Sequence, residues 1–254
     1  MKRIFIISCF CLFSCQHQEI YKKNIPEWTK DAIVYEVNVR QFTPEGTFKA
    51  FSNHLPRIKN LGVDIIWFMP IHPIGNKNRK GSLGSYYSVK DYKAINPEFG
   101  TLEDFNELVQ MIHDMDMKVI IDWVANHTSF DNIWVREGNL DWYNLDSLGN
   151  LQPPNGTDWW DVADLNYENR EMQNEMVNAM KFWLTESDID GFRCDVADWV
   201  PVSFWDSCRI ELDEVKDTRR GQRTPDKETP TRSNMARTSR LFAKGIWGQN
   251  TSYQ

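Results

Sequence analysis

Short apolar runs alternate with amphipathic segments along the chain from residue 31 onward. Four of these runs have the length and composition of β-strands, and they occupy residues 32–39 (AIVYEVNV), 62–70 (GVDIIWFMP), 118–124 (KVIIDWV) and 189–195 (IDGFRCD). The second run is apolar at nearly every position, which is typical of a parallel strand that is buried on both faces.

The segments between these runs have helical periodicity. Between the first two strands, the apolar positions at helical spacing are Phe48, Phe51, Leu55, Ile58 and Leu61. Pro56 interrupts this pattern, so the helix is either kinked there or starts later. Thr101 and Asp104 form a capping-box pattern at the start of another helix. A long helical stripe covers residues 172–184, and Pro201 starts a further helix after the fourth strand.

Repeated strand–helix units of this length predict an α/β fold. The sheet is expected to be parallel with helices outside it, either doubly wound or closed into a barrel. Residues 125–168, between the third strand and the next helix, are rich in Trp, Asn, Asp and Pro. An insertion of this length is too long for a plain connection, and it predicts a small functional subdomain.

The pattern changes after Val215. Residues 216–254 are polar, basic and rich in Thr and Pro, with only two short apolar clusters. This composition predicts a disordered tail that is unrelated to the preceding segment. A switch this abrupt is typical of a reading-frame shift, and a natural short protein with a functional basic tail is the alternative.

Composition narrows the range of partners. With 29 Lys and Arg against 36 Asp and Glu, the formal net charge is −7, which gives no reason to expect a nucleic-acid partner. The 11 Trp residues suit either a surface that handles sugars, because indole faces stack on pyranose rings, or simply a hydrophobic core.

The N-terminus has the pattern of an export signal. Two cations precede an apolar run over residues 4–13, which is too short to span a bilayer. The run ends in Leu-Phe-Ser-Cys, which resembles a bacterial lipoprotein signal with Cys15 as the lipid attachment point. We therefore expect a signal peptide over residues 1–15, export, and membrane attachment through the lipid anchor only. An ordinary secretory signal with a chance Cys is the alternative.

Four polar motifs follow the predicted strands. They are SYYSVKDYKAINPEFGT (85–101) after the second strand, DWVANHT (122–128) at the third, VADLN (162–166) closing the insertion, and GFRCD (191–195) at the fourth. In this order the motifs closely resemble the α-amylase superfamily of glycoside hydrolases, over residues 27–215. The resemblance implies a (β/α)₈ TIM barrel, of which only the first four β/α units are present, with its chemistry at the carboxyl ends of the strands.

The resemblance assigns the central roles to Asp195 and Arg193. Asp195 matches the nucleophile that attacks the anomeric carbon and forms a covalent glycosyl-enzyme. Arg193 matches the residue that orients this carboxylate, and an adjacent guanidinium favours the charged form, so we expect Asp195 to be held ionised. A structural ion pair at the end of the strand is the alternative.

The same resemblance implies binding roles for neighbouring residues. His127 matches a residue that hydrogen-bonds the sugar at the point of cleavage. Tyr87 matches the aromatic platform beneath that sugar, in preference to its neighbour Tyr86. Asp122 matches a structural residue near Arg193, which supports the site rather than catalysing.

A calcium ion holds the inserted subdomain to the barrel in many members of the superfamily, and Asn126 and Asp164 match two of its ligands. Oxygen atoms from an amide and a carboxylate suit Ca²⁺. Many α-amylases carry a Lys-His pair shortly after the nucleophile, whereas this chain has Asp198 and Trp199. This departure leaves open whether the chain binds calcium. It also leaves open whether the specificity is that of a true α-amylase or of relatives that cleave maltodextrins or transfer glycosyl groups.

The general acid of the family has no match in the chain. Retaining glycosidases place a second carboxyl group about 5–5.5 Å from the nucleophile, and the resemblance expects a Glu at the end of the fifth strand. After Val215 the only Glu is Glu228, in a segment without an apolar run, while Glu211 and Glu214 fall on a helix outside the barrel. We therefore expect a glycosidase for α-glucosidic bonds of starch-derived glucans that is inactive as this chain. A non-catalytic exported glucan-binding protein is the alternative.

If Cys15 carries the lipid anchor, the mature protein should partition with membranes and incorporate labelled palmitate, and a Cys15→Ala variant should do neither. Stable attachment needs more than one acyl chain, and bacterial lipoproteins carry several. Metabolic labelling and cell fractionation of both forms measure this. A soluble wild-type protein cleaved at another residue would contradict the assignment.

Overall fold

The computed structural model describes the backbone of residues 27–222 and the side chains of residues 28–215. Its strands are β1 (Val34–Val37), β2 (Ile65–Phe68), β3 (Lys118–Trp123), β4 (His127–Ser129), β5 (Val162–Asp164) and β6 (Gly191–Cys194). One sheet is parallel, with the order β1-β2-β3-β6, and β4 and β5 form a separate antiparallel pair.

The strand order decides between the two predicted architectures. In the order β1-β2-β3-β6 each new strand is added at the same edge of the sheet. A doubly wound sheet instead reverses, and its later strands lie on the other side of the first. The prediction of a barrel-type fold is therefore confirmed, and the described residues contain its first four β/α units.

The helices in the described part of the chain are α1 (Val39–Phe42), α2 (Phe48–Ser52), α3 (Leu55–Asn60), α4 (Leu102–Asp114), α5 (Ile133–Arg136), α6 (Arg170–Glu186) and α7 (Val202–Gln222). Pro56 lies in the first turn of α3, where its missing N–H breaks no helical hydrogen bond. The predicted helix is therefore two helices rather than one kinked helix. Leu61, which the pattern placed on the apolar face, follows α3 and is 57% exposed.

The two faces of the parallel sheet have different environments. Phe68, Ile121 and Phe192 are aligned on neighbouring strands and lie in the core that the helices cover. Side chains alternate along a strand, so Asp122 and Arg193, each one residue further along, point to the opposite face. Packing of the apolar face against the helices thus determines which side chains face the barrel interior.

The insertion at residues 125–168 packs on the loop that follows β2. The Ser129 N–H donates to the Val89 carbonyl oxygen at 2.9 Å. Ser88 Oγ donates to the Asp161 carbonyl oxygen at 2.8 Å. These hydrogen bonds bring the insertion beside the carboxyl ends of the strands.

Helix α7 extends to Gln222, beyond Val215, where the sequence pattern placed the start of a disordered tail. Each residue added to an existing helix gains a hydrogen bond, so a polar segment without hydrophobic period can continue it at low cost. The predicted signal peptide with Cys15, and residues 223–254 of the predicted tail, lie outside the described residues. Within residues 27–222, no helix has the length and apolar character needed to cross a bilayer.

Helix α4 begins with the predicted capping box. Thr101 Oγ1 accepts a hydrogen bond from the Asp104 N–H at 3.1 Å, and Asp104 Oδ2 accepts one from the Thr101 N–H at 2.7 Å. Hydrogen bonds from the backbone and the hydroxyl of Thr101 lower the pKa of the exposed Asp104 carboxyl. At the start of the helix, each side chain therefore accepts a hydrogen bond from the backbone N–H of the other residue.

Replacing Thr101 by Ala should lower the free energy of unfolding by about 1 kcal/mol, because the Asp104 N–H loses its partner. Thr101→Ser retains the hydroxyl and serves as the control. Thr101 lowers the pKa of Asp104, so part of the decrease in the free energy of unfolding depends on the Asp104 carboxylate. This part is present at neutral pH and disappears as the pH falls through the lowered pKa. Urea unfolding at several pH values measures both effects, and equal stability of the Ala and Ser variants would contradict the capping role.

Candidate active site

The carboxyl ends of the parallel strands bring the predicted catalytic residues together. Asp122 is the penultimate residue of β3 and Arg193 that of β6, and the two are aligned in the sheet. Asp195 directly follows β6, and Tyr87 lies in the loop after β2. Parallel strands end at the same edge of a sheet, so these side chains meet although they are distant in sequence.

Arg193 holds two carboxylates with one guanidinium nitrogen. Its Nη1 donates to both carboxylate oxygens of Asp122, at 2.9 and 3.0 Å, and to Asp195 Oδ1 at 2.7 Å. The guanidinium also lies over the Trp67 ring, 5.0 Å from the ring centroid. The fixed position of Arg193 therefore orients Asp195 relative to the end of the sheet.

Burial opposes the ionisation of Asp195 that the sequence predicts. It raises the pKa of the Asp195 carboxyl above its ordinary value, and Arg193 opposes this rise without cancelling it. Burial also raises the pKa of Asp122 to about 7, again against the effect of Arg193. The expectation that Arg193 simply keeps Asp195 ionised was therefore incomplete, because one guanidinium is shared by two carboxylates that are shielded from water.

Val196, directly after Asp195, has a left-handed backbone conformation with φ 38° and ψ 44°. A β-branched residue is strained in this region, at a cost on the order of 1–3 kcal/mol. The Val196 N–H forms a hydrogen bond with the Asp195 carboxylate, which, like Arg193, opposes the effect of burial on its pKa. The strained turn thus supplies a second group that orients Asp195.

A cavity of about 290 Å³ adjoins this cluster and is near the lower end of the range of small-molecule sites. Three of the predicted site residues line it, namely Tyr87, His127 and Asp195, while Asp122 and Arg193 contact these residues without lining it. The complete lining is Lys80, Ser85, Tyr87, His127, Trp159, Asp161, Val162, Asp195 and Val196.

The insertion supplies lining residues that the sequence analysis did not identify. Trp159 and Asp161 belong to it, and the buried Asp161 carboxylate forms a 3.0 Å salt bridge with Lys80 Nζ. The Lys80 ammonium also lies 4.5 Å from the centroid of the Trp160 ring. The density of Trp and Asp in residues 125–168 was the available signal, but it does not indicate which of these side chains face the cavity.

His127 is neutral in this environment. Burial lowers its pKa to about 4, and the nearby Lys80 cation acts in the same direction. Its Nδ1 lies 3.2 Å from the side-chain amide nitrogen of Asn126, and the ring also forms a hydrogen bond with the backbone of Tyr87. The imidazole therefore acts as a hydrogen-bonding group in the cavity and not as a cation.

The two neighbouring tyrosines have different positions. Tyr87 lines the cavity, and its OH donates to Asp122 Oδ2 at 3.3 Å. Tyr86 instead donates to Asn38 Oδ1 at 3.0 Å, and its ring lies under the Arg40 guanidinium, 4.6 Å from it. Tyr87 is therefore the member of the pair that a ligand in the cavity would contact.

The two residues matched to calcium ligands lie on adjacent backbone segments. The Leu165 N–H donates to the Asn126 carbonyl oxygen at 3.2 Å, which places Asp164 next to it. Burial raises the pKa of Asp164, against the effect of a 2.7 Å hydrogen bond from the Asn144 amide. Amide and carboxylate oxygens are ligand types that Ca²⁺ prefers. The described residues contain no group of three or more His, Cys, Asp or Glu that could hold a metal ion.

Sequence comparisons match the chain to known enzymes. A model of the family described as "Alpha amylase, catalytic domain" matches residues 19–245. Probable oligo-1,6-glucosidase 3 of Bacillus subtilis is 34% identical over 66% of this chain and 35% of its own length. Alpha-amylase 3 of Dictyoglomus thermophilum is 33% identical over 76% of this chain and 40% of its own length. The chain therefore spans well under half of the length of these relatives.

Solved structures agree with the sequence match. An α-amylase from Lactobacillus plantarum shares 42% identity with a TM-score of 0.71, over 75% of this chain and 44% of that chain. A maltogenic α-amylase from Thermotoga neapolitana shares 39% identity with a TM-score of 0.68, over 74% and 44%. From the family match over most of its length and from the strand order of its sheet, we conclude that the chain belongs to the α-amylase family and that its described residues form the first four β/α units of the catalytic barrel.

Proposed function

We propose that this chain carries the nucleophile of a retaining glycoside hydrolase that acts on α-glucosidic bonds of starch-derived glucans. The observation that carries the proposal is the position of Asp195, which lines the cavity beside Tyr87 and His127 while Arg193 holds its Oδ1 at 2.7 Å. The α-amylases and oligo-1,6-glucosidases among the relatives support α-glucans as the substrate class. Export as a lipoprotein through Cys15 would place this activity where polymeric glucans are met.

The reaction begins with attack by Asp195. A carboxylate oxygen forms a bond to the anomeric carbon of the glucosyl unit in the cavity, and the glycosidic carbon–oxygen bond breaks. The leaving oxygen takes both electrons of that bond and needs a proton. Water then displaces the carboxylate from the glycosyl-enzyme and loses a proton, which balances the proton that the leaving oxygen takes up. Two displacements at the anomeric carbon retain its configuration. Tyr87 supplies an aromatic face for the sugar ring, and neutral His127 supplies a hydrogen bond.

The described side chains of this site include no evident donor of the proton that the leaving oxygen needs. Among the described side chains, the carboxylates that line the cavity are Asp195 and Asp161. Asp161 is buried and engaged in a salt bridge with Lys80, so it is not a free acid next to the glycosidic oxygen. Loss of a general acid typically costs about 10²–10⁴-fold in rate. We therefore propose that the chain hydrolyses natural glucans poorly.

A second candidate function is glucan binding without catalysis. It is favoured by the same cavity, in which the aromatic and hydrogen-bonding side chains Tyr87, His127 and Trp159 are assembled independently of a proton donor. In this case the chain would retain starch-derived oligosaccharides and release no product. The two candidates differ in whether Asp195 forms a covalent bond.

An activated substrate separates these candidates. Dinitrophenyl α-glucoside has a leaving group that needs little protonation, so the 254-residue chain should release dinitrophenolate, whereas starch hydrolysis should be lower by about 10²–10⁴-fold than in an enzyme with a general acid. Release should decline as the pH falls through the raised pKa of Asp195, because only the carboxylate attacks. Absorbance of the released phenolate measures the rate.

Asp195→Asn should abolish this release. Asp198→Asn is the matched control, because Asp198 is an exposed aspartate on the same segment that does not line the cavity. Robust starch hydrolysis by the chain would contradict the weak proton donation. A folded protein that binds glucans but releases no dinitrophenolate would favour the binding function.

Calcium should stabilise the folded chain if Asn126 and Asp164 bind it, because a ligand that binds only the native state adds stability, by about 2.7 kcal/mol at a hundredfold excess over Kd. Calcium should therefore raise the thermal midpoint of the wild type, and the rise should be absent in Asp164→Asn. Asp158→Asn, an exposed aspartate of the same insertion, is the control. An unchanged midpoint in the wild type, with no calcium by elemental analysis, would rule the site out.

A further inference from the structure

An ion pair joins the loop after β2 to the insertion at the edge of the cavity. Lys80 Nζ lies 3.0 Å from Asp161 Oδ1, and both residues line the cavity. The Lys80 ammonium also lies 4.5 Å from the centroid of the Trp160 ring, so two consecutive residues of the insertion contact it. We call the contact between Lys80 and Asp161 the cavity ion pair.

The backbone of both partners of the cavity ion pair is hydrogen-bonded. On the loop, the Gly84 N–H donates to the Lys80 carbonyl oxygen at 3.1 Å. On the insertion, the Asp161 carbonyl oxygen accepts a hydrogen bond from Ser88 Oγ at 2.8 Å. The loop after β2 therefore holds Asp161 at two points, at its side chain through Lys80 and at its backbone through Ser88.

The burial of the cavity ion pair is uneven. The side chain of Asp161 is 3% exposed and that of Lys80 is 35% exposed, so the carboxylate is almost completely removed from water. The cost of desolvation offsets much of the attraction in such a pair, and apolar residues of similar volume often give equal or greater stability. The pair is therefore weak evidence for a role in stability, and its place at the cavity points to a role in the site.

One side of the cavity depends on the position of Asp161. Trp159 and Val162, which lie within two residues of Asp161 in the chain, both line the cavity. Val162 is also the first residue of β5, which pairs with β4. A displacement of Asp161 would therefore move the lining side chains of the insertion relative to the end of the parallel sheet.

We propose that Lys80 is a positioning residue of the site, whose ion pair with Asp161 holds the insertion against the loop after β2 and thereby fixes one side of the cavity. This inference rests on the proposed glucan site. Lys80 acts through Asp161, so no contact between Lys80 and the glucan is required. A ligand binds more tightly to side chains that are already in place, because less conformational entropy is lost on binding. Loss of the pair should therefore weaken glucan binding even where the fold is retained.

A double variant separates positioning from stability. Lys80→Met keeps an aliphatic side chain but leaves the buried Asp161 carboxylate unpaired, so the thermal midpoint should fall and the Kd of maltotriose should rise about tenfold. The double variant Lys80→Met/Asp161→Asn leaves no unpaired charge, so its midpoint should recover most of this fall while its Kd stays about tenfold above that of the wild type. Thermal unfolding and isothermal titration calorimetry of the 254-residue chain measure the two quantities.

Two single variants of the same loop serve as controls. Lys80→Arg retains a cation that can pair with Asp161 and should keep the Kd of maltotriose within about threefold of that of the wild type. Lys77→Met removes a cation that lies 5.9 Å from the centroid of the Phe130 ring and does not line the cavity, and it should leave the Kd unchanged.

The outcomes distinguish this inference from the proposed function. A double variant that binds maltotriose as tightly as the wild type would overturn the positioning role and leave the glucan site standing, as would a Lys80→Arg variant that binds as weakly as Lys80→Met. The double variant also decides the question if Lys80→Met does not fold. If the folded wild-type chain did not bind maltotriose, the glucan site would be wrong, and the positioning role with it.

Discussion

The arrangement of the site depends on one guanidinium nitrogen that two carboxylates share. Arg193 Nη1 contacts Asp122 and Asp195 at 2.7–3.0 Å. Asp122 is fully buried, and a buried carboxylate without a charged partner costs several kcal/mol. The protein thus uses an electrostatic constraint at the ends of β3 and β6 to fix the direction of Asp195. The same burial that makes Arg193 necessary also raises the pKa of Asp195, so orientation is gained at the expense of ready ionisation.

Packing around Tyr92 joins the insertion to the loop after β2. The Tyr92 OH donates to the Val124 carbonyl oxygen at 2.6 Å and to the His127 carbonyl oxygen at 3.0 Å, and all three groups are buried. The Tyr92 ring also packs against Trp123 and Trp134, with centroids 5.1 and 5.0 Å apart. The loop after β2 and the chain after β3 therefore form one packed unit, and His127 is positioned by it.

The segment after Asp195 contains a strained backbone residue and a half-exposed tryptophan. Val196 holds a left-handed conformation that a β-branched residue rarely adopts, and Trp199 remains half exposed three residues later. The conformation of Val196 costs on the order of 1–3 kcal/mol. Both residues lie on the segment that directly follows Asp195, whereas the sheet and helices below this segment contribute the packed apolar core.

The sequence by itself determined the parallel strands, the capping box at Thr101 and the family, because periodicity and contiguous motifs depend on residues that are close together in the chain. The roles of Asp195 and Arg193 are predictions that follow from the family resemblance. Tertiary structure decided the rest. The salt bridge of Lys80 with Asp161 joins residues far apart in the chain. The cavity and the pKa shift of Asp195 likewise arise when several such segments converge and exclude water, which no single stretch of sequence records.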